Sequence, residues 1–148
     1  LMPGKLENSK LNSLGYLSGK VHGLLKQRLS DKLSEQNIPL KAVHYPVVSR
    51  LWKTDDVTQQ TIAEWMNFDR HRTSRLVDEL EDIQVVERHS NAANKREKRI
   101  QLTEYGKKLQ APVMQIVGES LDDAMKGMGK EEKEAGIVFL QKVVQNLI

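Results

Sequence analysis

Between Leu11 and Leu33 the apolar residues Leu11, Leu14, Leu17, Val21, Leu24, Leu25 and Leu29 recur at the spacing of one helical face. The pattern predicts a long amphipathic helix. It should end near Gln36–Asn37, because Pro39 disfavours helical backbone at Ile38. A second helix is expected over Leu40–Trp52, with Pro46 kinking it or marking a boundary, and "KTDD" at Lys53–Asp56 reads as a loop. Thr58 stands as the N-cap of a short helix whose Ile62, Ala63 and Met66 share a face. Asn67, which tolerates left-handed backbone, interrupts it, and a new helix runs from Asp69 to Ile83. A short helix joined to another by about three residues is helix-turn-helix geometry.

After Ile83 the period changes. "VVERHS" and "KRIQL" have strand propensity and are joined by the polar "NAANKRE", so a two-stranded hairpin is expected, with Val86, Ile100 and Leu102 facing inward. Thr103 then caps a long helix carrying Leu109, Val113, Ile116, Val117, Leu121 and Met125, bent at Pro112. "GMGK" at Gly127–Lys130 breaks the chain before a last helix with Ile137, Leu140, Val143, Val144 and Leu147 on it. No internal repeat or low-complexity segment interrupts this order.

A chain of 148 residues is the size of one domain, or of one domain with a dimerisation appendage. Hydrophobic residues at 39% permit a packed core, which argues against wholesale disorder. The absence of cysteine excludes a disulfide framework, a thiolate zinc site and a thiol redox sensor together. No basic leader precedes an apolar run, and no stretch approaches the roughly 18 apolar residues of a membrane helix. A cytoplasmic protein with no membrane partner is therefore expected. The net charge of +3 is too small to identify a partner, so its distribution must.

That distribution is unusual in "NFDRHRTSRLVDELEDI", Asn67 to Ile83. Arg70, Arg72 and Arg75 crowd the start of the helix, and Asp78, Glu79, Glu81 and Asp82 crowd its end. Both runs oppose the helix dipole, by about 0.3–1 kcal/mol per group. At 100° per residue, Leu76, Leu80 and Ile83 share one side with Thr73, and Arg70, His71, Ser74, Arg75 and Asp78 share the other. A helix whose exposed first turns are basic suits the DNA major groove, where Arg donates two parallel bonds to guanine. An acidic tail repelled by phosphate would help fix its direction of entry. Asp69, Arg70, His71, Arg72, Ser74 and Arg75 are the candidate contacts here. The hairpin adds Arg88, Lys95, Arg96, Lys98 and Arg99, of which Lys95, Arg96 and Lys98 are the candidate backbone contacts. The competing reading is a solvated helix face with pairs such as Arg75–Glu79, followed by a flexible polar turn.

Thr58 to Gly106 resembles the MarR family of bacterial transcription regulators. "QQTIAEWMNFDRHRTSRLVDELED" is similar to the family's helix-turn-helix, with Ala63 at the tight helix crossing, Asn67 in the turn and Asp69-Arg70 opening the recognition helix. "VVERHSNAANKREKRIQLTEYG" resembles its wing, ending in Leu102-Thr103 and Gly106. Three positions depart from the pattern. Asn94 replaces the usual acid of Asp-x-Arg, Gln84 stands where glycine commonly ends the recognition helix, and the usual Leu-Thr-x-x-Gln opening is missing. The resemblance implies a mainly α, winged-helix fold over one MarR-like chain, 1–148. Its winged helix-turn-helix lobe spans 40–102, with the helix-turn-helix at about 58–83 and the wing at about 85–102. Dimerisation helices at 8–36 and 103–148 flank it.

A single winged helix makes few base contacts, and useful affinity normally needs two. Leu11, Leu14 and Leu17, with Ile137, Leu140, Val143, Val144 and Leu147, exceed what a small winged core would cover, unless they complete the monomer's own core. A homodimer reading a pseudo-palindromic double-stranded DNA operator is expected, its half-sites about one helical turn apart. The resemblance further implies a small aromatic or anionic effector between the dimerisation helices and the lobe. By position His44, Tyr45, Trp52 and Met114 would line that site, although each also reads as core. Repression relieved by ligand is the outcome the family implies, and activation would look identical in sequence. No cofactor or metal is expected. The four histidines show no metal-ligand spacing among themselves and no glycine-rich phosphate loop is present, so an enzyme is disfavoured. A winged helix used for protein or RNA contact is the stronger rival, and the arginine cluster argues against it.

Overall fold

The computed structural model describes residues 13–91, 93–94 and 96–148; Leu11 and Lys95, both named above, lie outside the described residues. Helix α1 (Ser13–Glu35) stops where Asn37 turns left-handed (φ 55°) and the Ile38 N–H returns to the Leu33 carbonyl at 2.9 Å. Helix α2 (Tyr45–Lys53) begins five residues later than the hydrophobic pattern suggests. Pro46 therefore lies in its first turn, where the missing N–H leaves no bond unmade.

Strand β1 (Val57–Thr58) has no counterpart in the sequence reading. It pairs Val57 with Ile100 and Thr58 with Arg99, adding a third strand to the expected hairpin. Helix α3 (Gln59–Met66) starts at Thr58, whose hydroxyl accepts from the Thr61 N–H at 3.0 Å, and ends at left-handed Asn67. Helix α4 (Arg70–Asp82) is capped by Asp69, whose carboxylate accepts from the Arg72 N–H at 2.7 Å. Gln84 takes the left-handed φ of 63° that a glycine would hold without strain, and the Val85 N–H closes back onto Leu80 at 3.0 Å.

Strands β2 (Val86–Ser90) and β3 (Lys98–Leu102) pair antiparallel, Val86 with Leu102 and Ser90 with Lys98, giving the sheet order β1-β3-β2. The long helix expected after Thr103 is two: α5 (Glu104–Lys108) and α6 (Gln110–Ala124). The break falls one turn before Pro112, which has no N–H to return to the Lys108 carbonyl. Helix α7 (Lys130–Leu147) closes the chain.

One core joins Val47, Val48 and Leu51 of α2, Ile62 of α3, Val77 and Leu80 of α4, the sheet residues Val86 and Ile100, and Val113 and Ile116 of α6. Leu29 and Leu33 are the buried residues of α1, and Leu14, Leu17, Val21, Leu24 and Leu25 of its predicted stripe are half-buried or exposed. Helix α7 buries no residue. Ile137 and Leu140 stay about half exposed, Leu147 is 80% exposed, and only Val143 is partly covered. Leu17, Ile137, Leu140, Val144 and Leu147 therefore do not complete this chain's own core. Among the described residues no helix is long and apolar enough to cross a membrane.

Candidate nucleic-acid interface

Helix α4 divides as its sequence pattern requires. Thr73, Leu76, Val77 and Leu80 are buried, whereas Arg70, His71, Arg72, Arg75 and Asp78 are exposed and Ser74 is half-buried. The Arg72 guanidinium lies 3.6 Å from the Phe68 ring centre, a cation–π contact that holds it over the inter-helix turn. Arg70, His71 and Arg75 make no side-chain hydrogen bond or ion pair among the described residues. Asp69 and Ser74 are already engaged: the Asp69 carboxylate caps the helix, and the Ser74 hydroxyl accepts from Arg88 at 3.3 Å.

In the wing, Asn94 does locally what a carboxylate would do. Its side-chain oxygen accepts from the Arg96 N–H at 3.1 Å, while its backbone closes turns with Asn91 and Glu97. Arg96 and Lys98 point outward, with Lys98 Nζ 3.5 Å from the Ser90 hydroxyl. Gln59, Arg70, His71, Ser74, Arg88, Arg96 and Lys98 surround one concavity of about 610 Å³. The start of α4 and the described wing cations thus meet at a common cleft.

Two of the hairpin's basic residues are tied up by acids of the chain itself. Arg88 is largely covered, and its guanidinium donates to Glu81 (2.7 Å), Asp78, the Ser74 carbonyl (2.9 Å) and the Gln59 side chain (3.1 Å). Arg99 donates to the Asp56 carboxylate at 2.8 Å and to the Asp56 carbonyl at 2.6 Å. That contact, with a smaller one from Gln101, holds the Asp56 carboxyl below its ordinary range. The acids at the end of α4 therefore have a structural use: Asp78 and Glu81 brace strand β2, and Glu79 meets His44. Sequence reading missed this. Its one available signal was the i,i+3 spacing that puts Asp78 and Glu81 on the same helix face.

An apolar cavity of about 400 Å³ lies on the far side of α2. His22, Leu25 and Lys26 of α1, Val43 and Tyr45 before and within α2, and Val117 of α6 are among its walls. Of the four residues expected to line an effector site, Tyr45 alone borders this cavity. Burial pushes its phenol pKa up. His44 is sealed from solvent and turned toward α4, its Nδ1 accepting from the Lys41 N–H (3.1 Å) and its Nε2 2.8 Å from Glu79. Trp52 donates to the Gly106 carbonyl at 2.9 Å. Met114 stays exposed outside the cavity, where its sulfur accepts from the Tyr45 hydroxyl at 3.7 Å. No pattern along the chain marks His22 or Lys26, because the cavity exists only where four distant segments meet. Among the described residues no three His, Asp or Glu side chains converge as metal ligands; His89 meets only Glu87, at 3.2 Å.

Residues 40–98 match the MarR family model. Over those residues the winged lobe is similar to the MarR family. Beyond it, the chain is 28% identical over 141 residues to YybA, an uncharacterised helix-turn-helix-type transcriptional regulator of Bacillus subtilis (strain 168), covering 95% of this chain and 89% of that one. The fold resembles that of S. aureus MepR in a MepR–DNA complex, with a TM-score of 0.79 at 24% identity over 90% of this chain and 97% of that one. It also resembles a mutant MarR from E. coli complexed with operator DNA, with a TM-score of 0.79 at 23% identity over 90% and 95% of the two chains. The 610 Å³ cleft lies between α4 and the wing, and the 400 Å³ cavity lies between the lobe and helices α1 and α6.

Proposed function

We propose that this MarR-type chain is a cytoplasmic, sequence-specific double-stranded DNA-binding transcription regulator, acting as a homodimeric repressor that a small ligand releases. One observation carries the reading: the basic residues segregate by role. Arg88 and Arg99 are consumed by acids of this chain, whereas Arg70, His71, Arg96 and Lys98 are left exposed around one cleft and Arg75 is exposed one turn further along the same helix. Solvated charges with no ligand would have no reason to sort in this way. A winged helix that docks onto protein would need no such cluster, and a binding function needs no catalytic group. MepR and MarR, which share the fold, occur in complexes with DNA.

The uncovered apolar residues of α7 and of the first half of α1 support dimerisation, since solvation of Ile137, Leu140, Val144 and Leu147 is unfavourable in a lone chain. The apolar cavity, with Lys26 and His22 in its α1 wall, suits an aromatic anion. The deciding experiment is fluorescence anisotropy against duplexes selected from a random pool, repeated at several salt concentrations. Two chains per duplex, a steep loss of affinity with salt and discrimination against scrambled competitor are expected. Sequence-blind binding after selection would overturn the proposal.

A further inference from the structure

Val43 and Tyr45 line the apolar cavity, but His44 between them faces the opposite way. Because Nδ1 accepts from the Lys41 N–H, the ring proton sits on Nε2 and is donated to Glu79. Glu79 is on α4, the helix whose first turns expose Arg70, His71 and Arg75. One imidazole therefore ties the backbone of the cavity wall to the helix that would read DNA.

We propose that His44 and Glu79 are the positioning pair through which the cavity and the recognition helix sense one another. This rests on reading α4 as the DNA-facing helix and the cavity as the effector site. A guest that displaces Val43 and Tyr45 must move His44, which is adjacent to both. The ring is enclosed, so it cannot move freely. Either Glu79 and α4 follow it, or Nε2–H is stranded without an acceptor away from water. The asymmetry of the pair fits this role. The Glu79 side chain is 54% exposed and has water as an alternative partner, so the bond satisfies the histidine rather than the acid. A second route from the cavity leaves through Met66, which lines it one residue before the turn into α4. That route reaches only the helix start. His44 reaches the helix body beyond the exposed arginines.

Coupling between two sites is reciprocal, so DNA binding must disturb the cavity as much as a ligand disturbs DNA binding. This permits a test without the natural ligand. Methyl NMR of Ala42, Val43, Val117 and Leu121 in the full chain would be recorded free and saturated with a selected duplex, alongside the His44 Nε2–H resonance. In wild type, cavity methyls and the imidazole proton are expected to shift together on DNA binding. In Glu79→Ala, saturated with the same duplex, the methyl shifts should vanish. Glu79→Gln keeps an acceptor oxygen and should retain them. A His44 Nε2–H resonance that ignores DNA in wild type would overturn the pair, whatever the variants do. So would methyl shifts in Glu79→Ala equal to those of wild type, which would assign the coupling to Met66. If wild type bound no duplex at all, the DNA reading itself would fail, an outcome distinct from DNA binding without coupling.

Discussion

Arg88 of β2 closes on Glu81 of α4 at 2.7 Å, and this bond joins the wing to the second helix of the helix-turn-helix. The same guanidinium reaches Asp78 and the Ser74 carbonyl, so a single side chain fixes the wing's root against two turns of the helix. The inverted charge order of α4 then has two causes. Its basic start is exposed, as the proposed DNA contact requires, and its acidic end anchors a neighbouring strand.

Replacing Arg88 with Met should therefore cost stability. The side chain is 18% exposed, and hydrogen bonds to charged groups are worth about 1.5–3 kcal/mol. Asp78 and Glu81 regain water when it is gone, which limits the loss to about 2–3 kcal/mol. A fall in melting temperature of roughly 5–10 °C is expected. An unchanged melting temperature would show that the wing root needs no such anchor.

Arg70→Ala and Arg75→Ala should behave in the opposite way. Neither side chain has a hydrogen-bond partner among the described residues, so stability should stay within about 0.5 kcal/mol of wild type. Discrimination between operator and scrambled duplex should fall by about 1–3 kcal/mol per arginine that contacts a base edge. Arg96→Ala and Lys98→Ala should instead weaken all duplexes alike and flatten the salt slope by about one unit each. Equal losses on operator and scrambled DNA for all four variants would remove the division of labour.

Periodicity and capping made most of this architecture legible. Thr58, Asn67 and Asp69 punctuate the helix-turn-helix with bonds that the structure contains, and the buried face of α4 follows from spacing alone. Strand β1 was illegible because two residues cannot display an alternation. The split after Lys108 was displaced by one turn, because proline acts on the carbonyl four residues before it. Within the site, exposure on a helical wheel was readable, but partner choice was not. Arg88 and Arg96 look alike in sequence, and only the tertiary position of Asp78 and Glu81 separates an anchor from a free cation. His44 and Trp52 were drawn into the effector site by type and position, whereas their polar atoms are aimed at Glu79 and Gly106 in the interior.

Gly106 lies where the wing returns to the helical body. A Cβ there would stand 2.2 Å from the Val85 carbonyl oxygen, which already accepts from the Thr103 N–H at 3.0 Å. Gly106→Ala must push that oxygen away and is expected to cost about 3 kcal/mol. Trp52→Phe removes only the bond to the Gly106 carbonyl and some ring volume, for about 1–2 kcal/mol. Urea titrations should rank the two in that order, and a milder Gly106→Ala would mean that the strand yields.

Helix α7 offers the most direct test of assembly. Leu140→Lys combined with Val144→Lys places two charges on its uncovered apolar face and touches no buried residue. The variant should stay folded by circular dichroism but sediment as one chain, where wild type sediments as two. Its operator affinity should drop accordingly, since one winged lobe makes few contacts. A dimeric variant would place the interface elsewhere.

The carboxyls of Asp56 and Glu79 set an expected dependence on pH. Asp56 is held below its usual 3.8, first by the hydrogen bond from Arg99 and then by that from Gln101; Glu79 is held below its usual 4.5, first by the bond from His44. A carboxyl whose folded pKa is depressed binds its proton more readily in the unfolded chain. Its stabilisation is complete above the unfolded value and disappears as pH falls through the folded one. The double variant Asp56→Asn, Glu79→Gln lacks both titrations, so its stability deficit against wild type should be constant from neutral pH down to about pH 5. It should shrink below the ordinary values of the two groups. Urea midpoints for the two proteins, measured side by side across that range, should therefore converge on the acid side. Midpoints that separate further as pH falls would mean that neither carboxylate stabilises the fold through its charge.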